Sequence, residues 1–369
     1  MDDHGTHRRP DQAVAAGAAC RVDLTHRVLG HVPVGAGPEA IAVDARFRRA
    51  FVACSRDNAV TAVDLDHRTI AWRADVGREP IPIVFDPPTR RLFTADARSN
   101  TVTVLDGDTG ARLAQLRVGD YPAGLGHDVA RRRVFTGDTA GATITAIDAD
   151  RLEVIGTVPA ELGAGSVAVD RASGRAYCVN FMSASVTVFD TGTLQPLDRI
   201  PVGEGPCKAE LVPGGETLYV AESLPGTLAR GVRLLDGHVT DRAVAERAPV
   251  GLHAAADGRW LYVRNRGAGT VGAHDARTGR EQHRITVGKS PGDCVIDPTT
   301  GRLLVSNAGS GTLTVVDRPW LPNARPRAPH PATGRRLPDF SLPDLRGGRI
   351  RTTREWAERK YVINFFASW

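Results

Sequence analysis

No apolar run in this 369-residue chain approaches the roughly 18 residues that a membrane-crossing helix needs. The first twelve residues, MDDHGTHRRPDQ, hold no apolar core of a signal peptide, so the expectation is a cytoplasmic protein without a membrane span, or an extracytoplasmic one if the start is misassigned. Aromatic residues make up only 5%. Lysine is nearly missing: Lys208, Lys289 and Lys360 are the only three among 47 basic residues. The rest are arginines, placed singly in turns or in short clusters such as Arg131-Arg132-Arg133, despite a net charge of +5. A nucleic-acid binder focuses its cations into a stripe, and none is present, so no nucleic-acid partner is expected. The five cysteines (Cys20, Cys54, Cys178, Cys207 and Cys294) form no Cys-x-x-Cys and no zinc spacing with histidine. Metalloprotease, nucleophile-elbow, P-loop and dinucleotide fingerprints are absent too, so neither a metal nor a cofactor is expected.

What the chain does have is a repeat. The phrase V-G-x-x-P occurs at 34–38, 76–80, 118–122, 202–206 and 287–291, and weaker copies are anchored at Ala164 and Pro249. The seven anchors, Pro38, Pro80, Pro122, Ala164, Pro206, Pro249 and Pro291, are 42 or 43 residues apart. Other residues keep the phase. Six past the anchor stand Asp44, Asp86, Asp128, Asp170 and Asp297; thirteen past it stand Phe51, Phe93, Phe135, Tyr177, Tyr219, Tyr262 and Leu304. Sixteen past it come Cys54, Asp96, Asp138, Asn180, Glu222, Asn265 and Asn307, and twenty-six past it Asp64, Asp106, Asp148, Asp190, Asp275 and Asp317. Each unit reads as four short strands, the clearest being TVTVLD at 101–106 with strict alternation. Four-stranded units of about 40 residues are the mark of a β-propeller. The expected fold is therefore all-β: a seven-bladed propeller over residues 20–318. The last unit runs into PWLPNARPRAPHP and lacks a fourth strand, so RVLGHVPV at 27–34 is expected to pair there and close the ring. Residues 1–19 read as a disordered tail, CRVDL at 20–24 has no assigned place, and 319–336 reads as a Pro/Arg-rich linker.

The copies PPTRRLFTADARSNTVTVLD (87–106) and PTTGRLLVSNAGSGTLTVVD (298–317) resemble the YVTN β-propeller repeat family. That resemblance is specific for fold and says little about function. A second resemblance lies at residues 337–369. Pro338-Asp339-Phe340, Leu342, Asp344 and Gly347 or Gly348, followed by Phe366-Ala367-Ser368-Trp369, are similar to the opening of a redoxin, a thioredoxin-like thiol–disulfide oxidoreductase. In that family the next residue is the nucleophilic cysteine of a Cys-x-x-Cys pair. The sequence ends at Trp369, so the resemblance implies a truncated α/β redox segment, derived from a propeller–redoxin fusion and without its catalytic thiols. A hairpin is expected through Arg346-Gly347-Gly348, a helical turn over 352–360 and a strand over 361–366.

Candidate binding residues come from breaks in the repeat. Strands just past each anchor should line the central channel, and most carry small or apolar residues there. Glu39, Lys208, Glu210 and Asp293 do not, and His127 and His253 lie nearby. These four are the expected channel-binding residues, although charged residues also occur simply because a channel mouth is wet. The aspartates that recur once per unit are expected to serve their own turns. The expected function is binding or scaffolding, with an unknown protein or small molecule on a propeller face and a monomeric chain. Two alternatives stand beside it. One is thiol–disulfide exchange, if the natural protein continues past Trp369. The other is a propeller hydrolase such as a lactonase, which requires carboxylates such as Glu39 and Asp293 to converge, or a metal on the channel axis.

Overall fold

The computed structural model describes residues 26–317, apart from short stretches at 212–216, 224–227, 234–238, 245–248, 256–257, 259 and 277–279, together with 341–343 and 350–352. Six four-stranded antiparallel sheets are each continuous in sequence, and a seventh is assembled from both ends of the repeat region. In that composite sheet Arg27–Pro33 pairs with Thr312–Asp317, with Pro33 opposite Thr312 and Arg27 opposite Asp317. We number the blades one to seven from their anchors.

The innermost strands are Pro38–Asp44, Pro80–Asp86, Pro122–Asp128, Ala164–Asp170, Pro206–Leu211, Pro249–Ala254 and Pro291–Ile296. Each neighbours the next, and the last returns to the first, so they enclose a central channel. The second and third strands of a blade are sandwiched between neighbouring blades. Arg49–Cys54 and Arg91–Asp96 accordingly bury every residue but the first. Fourth strands such as Arg112–Arg117 lie on the rim and alternate exposed with half-buried residues. The core is thus a set of inter-blade clusters. One joins Phe93, Val102 and Val104 of blade two to Leu125, Val134 and Ile147 of blade three. Another joins Val32 and Val34 to Leu313 and Val315 of blade seven and to Ile41 and Val52 of blade one, which seals the ring.

The phased polar residues hold turns and blades together. Asp106 Oδ1 accepts from the backbone N–H groups of Asp108 and Thr109 at 3.0 and 2.8 Å, and Asp64, Asp148 and Asp190 do the same in their blades. The aspartate six past the anchor reaches further. Arg132 of blade three donates two hydrogen bonds to Asp86 of blade two, at 2.6 and 2.7 Å, and also meets Asp150 of its own blade. Arg90 links Asp44 to Asp108 in the same way, and Arg48 links Asp297 of blade seven to Asp66 of blade one. These arginines occupy left-handed turn positions, with φ between 54° and 59°. Burial opposes the charge of Asp86, but the bonds from Arg132, His127 and Thr89 outweigh it and hold its carboxyl far below the usual range. At the equivalent place in blade four stands Gly174, and the Arg131 side chain occupies the space its Cβ would fill.

Blades three and four come closest. A Cβ on Gly124 or Gly137 would lie 1.8 or 2.0 Å from the Gly165 carbonyl oxygen, so only glycine fits at either position.

The thioredoxin-like segment is corrected. Residues 320–369 form a separate compact unit, of which Ser341–Pro343 and Ile350–Thr352 are described, as a two-stranded antiparallel hairpin. Among the described residues there is no helix, and a thioredoxin-like α/β fold packs helices on its sheet. The short extended phrase at Ser341–Pro343 is common to hairpins of many folds, and the second phrase of the resemblance, Phe366-Ala367-Ser368-Trp369, lies outside the described residues. The helical turn expected at 352–360 and the strand at 361–366 lie outside the described residues beyond Thr352, as do residues 1–25, Cys20 and the linker.

Candidate functional site: the central channel

A cavity of about 310 Å³ opens along the channel, lined by residues one to four past the anchors and by Arg264 and Arg266, which stand fifteen and seventeen past Pro249. Its wall is divided. In blades one to four the lining is chiefly small or apolar, with Ala40, Ile41, Ile81, Pro82, Ile83, Val84, Ala123, Gly124, Leu125 and Ser166. Blades five to seven supply the charged or polar Lys208, His253, Arg264, Arg266 and Asp293 among the apolar Cys207, Leu252, Cys294 and Val295, and Glu39 of blade one joins the charged group. Successive residues of a strand face opposite sides, and a bulge after each anchor sets which of them turn inward. Two past the anchor the blades carry Ala40, Pro82, Gly124, Ser166, Lys208, Gly251 and Asp293 in order.

The charged residues are organised in pairs. Arg266 grips Glu39 with two hydrogen bonds of 3.2 and 3.0 Å, spanning blade seven to do so. Arg264 lies 3.1 Å from Asp293. Its side chain is only 5% exposed and passes over Gly251, where a Cβ would sit 1.4 Å from a guanidinium nitrogen. Burial lowers the pKa of Arg264, but the field of Asp293 overrides it, so the guanidinium stays charged. Asp293 also accepts from the Ile41 N–H at 3.2 Å, and its own N–H donates to Ser306 Oγ at 2.7 Å. Ser306 in turn donates to the Glu39 carbonyl at 3.1 Å. His253 Nδ1 lies 3.4 Å from Glu210 Oε1.

Of the four residues expected at the channel, Glu39, Lys208 and Asp293 line the cavity, and Glu210 meets it through His253. Glu39 and Asp293 do not pair with Lys208; each has its own arginine. Lys208 is half-buried and has no hydrogen-bond or ion-pair partner among the described residues. His127 lies elsewhere, 3.3 Å from Asp86 at a blade junction. Sequence reasoning missed Arg264, Arg266 and Ser306. A signal for Arg264 was there: fifteen past the anchor, the other blades carry Ala53, Ala95, Gly137, Val179, Ala221 and Ser306.

Two thiols flank this wall. Burial pushes Cys294 up to about 12 and Cys207 up to about 11, and Arg264, which pulls them down, does not offset it. Neither is a nucleophile at neutral pH. Among the described residues no three His, Cys, Asp or Glu side chains are grouped to hold a metal ion.

A family model described as YNCE-like beta-propeller matches residues 19–214. It replaces the YVTN resemblance. The residues behind that resemblance are turn aspartates, buried aromatics and alternating strands, which blades of this build need whatever their family. No curated protein matches the chain. Among solved structures, Kuenenia stuttgartiensis hydrazine synthase superposes with a TM-score of 0.69 at 18% identity, over 78% of this chain and 96% of that one. As many as 1710 chains match at a comparable standard, so this likeness describes the fold alone.

Proposed function

As the chain belongs to the YNCE-like β-propeller family, we propose that it is a binding protein whose ligand is a small molecule held in the central channel. The observation that carries this reading is the uneven wall of the 310 Å³ cavity, whose charged residues gather on blades five to seven with Glu39 of blade one, while the rest of blades one to four presents small or apolar residues. A wet, purely structural channel gains nothing from segregating its lining in this way. A ligand with an apolar body and a polar head does. The ion pairs Arg266–Glu39 and Arg264–Asp293 fix the charged wall before the ligand arrives, so little ordering is needed on binding.

The hydrolase reading draws no support from this geometry. Ser306 joins the Asp293 N–H to the Glu39 backbone carbonyl and not the two carboxylates to each other, and each carboxylate is paired with its own arginine. The test is ligand-observed NMR with a fragment mixture, comparing the wild-type chain with Ser166→Phe, which plugs the cavity from its apolar side. Binding that disappears in the plugged variant supports the proposal. Fragments that bind equally to both variants, or to neither, count against it.

A further inference from the structure

We infer that the ligand is a small monoanion with an apolar body, whose anionic group is held by Lys208. This inference rests on the channel-binding reading above. The cavity lining holds three full cations, Lys208, Arg264 and Arg266, against two carboxylates, Glu39 and Asp293. Both carboxylates are committed to the arginines. Glu210 lies 3.4 Å from His253. Lys208 alone of the three cations has no carboxylate against it among the described residues, so the charge left over in the cavity is positive. Its position is equally particular. It stands two past its anchor, where blades one to four put Ala40, Pro82, Gly124 and Ser166, and it is one of only three lysines in a chain otherwise supplied with arginine. An ammonium offers a compact charge with three donors and suits a single carboxylate or similar group. The facing wall of Ile81, Pro82 and Leu125 offers nothing to a second charge, which limits the ligand to one anionic end.

The test uses the full chain and titration calorimetry, with hexanoate, hexylammonium, hexanol, acetate and inorganic phosphate as probes. Hexanoate should bind, acetate and phosphate at least about tenfold more weakly for want of apolar contact, and hexylammonium and hexanol not measurably. Lys208→Met should weaken hexanoate at least about tenfold, with the thermal transition unchanged because no native contact is lost. Should Lys208→Met not fold, Lys208→Gln serves in its place. Equal binding of hexanoate by wild type and variant overturns the inference, as does a preference for hexylammonium. If hexylammonium or hexanol binds and Ser166→Phe abolishes it, the anion inference fails while the channel reading stands. If no probe binds, both fail. If phosphate equals hexanoate, the site takes inorganic anions and the apolar body is wrong.

Discussion

Replacing Asp96 by asparagine should stabilise this protein at neutral pH. Asp96 is completely buried in the second strand of blade two, and its Oδ2 accepts from Thr101 and Thr103 at 3.0 and 2.6 Å. Burial nonetheless raises its pKa from 3.8 to about 6, because those bonds do not repay the lost hydration of the charge. Below pH 3.8 the group is protonated in the folded and unfolded chain alike and contributes no pH dependence. Between 3.8 and about 6 the folded chain holds a proton that the unfolded chain has released, so stability falls as pH rises. Above 6 the loss is complete, at most about 3 kcal/mol. Asparagine removes the charge and keeps the bonds, and the chain supplies the precedent at the same place in blade seven. There Asn307 accepts from the Gly288 N–H at 2.9 Å and donates to Thr312 Oγ1 and Thr314 Oγ1 at 3.1 and 2.7 Å. Urea unfolding of both proteins at pH 4 and pH 7.5 measures the effect. Asp96→Asn should gain about 1 to 3 kcal/mol at pH 7.5 and little at pH 4. A loss at pH 7.5, or a gain of equal size at both pH values, would refute the reasoning.

Removing the inter-blade arginine should be costly in proportion to the burial of the aspartate it serves. Arg132→Ala leaves the fully buried Asp86 without its two-pronged partner and should lose about 2 to 4 kcal/mol in urea unfolding, whereas Arg98→Ala, at an exposed pair with Glu79, should stay within about 0.5 kcal/mol. Asp86 and Asp297 have folded pKa values below 3.8, so the stability they contribute is present above that pH and is lost as pH falls below it; acid unfolding of Arg132→Ala should show a shallower dependence there than wild type. Gly137→Ala should destabilise strongly or prevent folding, since its Cβ meets a backbone oxygen that cannot move aside, and soluble yield with circular dichroism will show which. Cys54, Cys178 and Cys294, buried with pKa values raised to about 11 or 12, should resist a thiol reagent at pH 8 until the protein is unfolded.

The blades were legible because each repeats one solution. Alternation in TVTVLD announces a strand, whose Val102 and Val104 pack toward blade three and whose Leu105 packs toward blade one, and the aspartate after it announces the turn. The need for Arg27–Pro33 in the last sheet also followed from the sequence, because the seventh unit visibly lacks a fourth strand. The partners across blades were not legible. Arg90 and Asp44 are 46 residues apart, and nothing in either stretch names the other. The channel was half legible. Lys208 and Asp293 stand out where their strands break the pattern, whereas Arg264 reaches the channel from a second strand, across a glycine that leaves it room. The redoxin resemblance misled because short turn and strand phrases carry little information on what packs around them. Likewise the YVTN resemblance identified a blade, and a blade is common to several families.

The most direct measurement is a crystal structure of the chain grown with 6-bromohexanoate, using the anomalous signal of bromine to locate the probe. The expected result is a bromine peak in the channel against Pro82 and Leu125, with the carboxylate at Lys208. A peak only on the outer surface of the blades, or an empty channel at saturating probe, would contradict a channel built to bind a small anion.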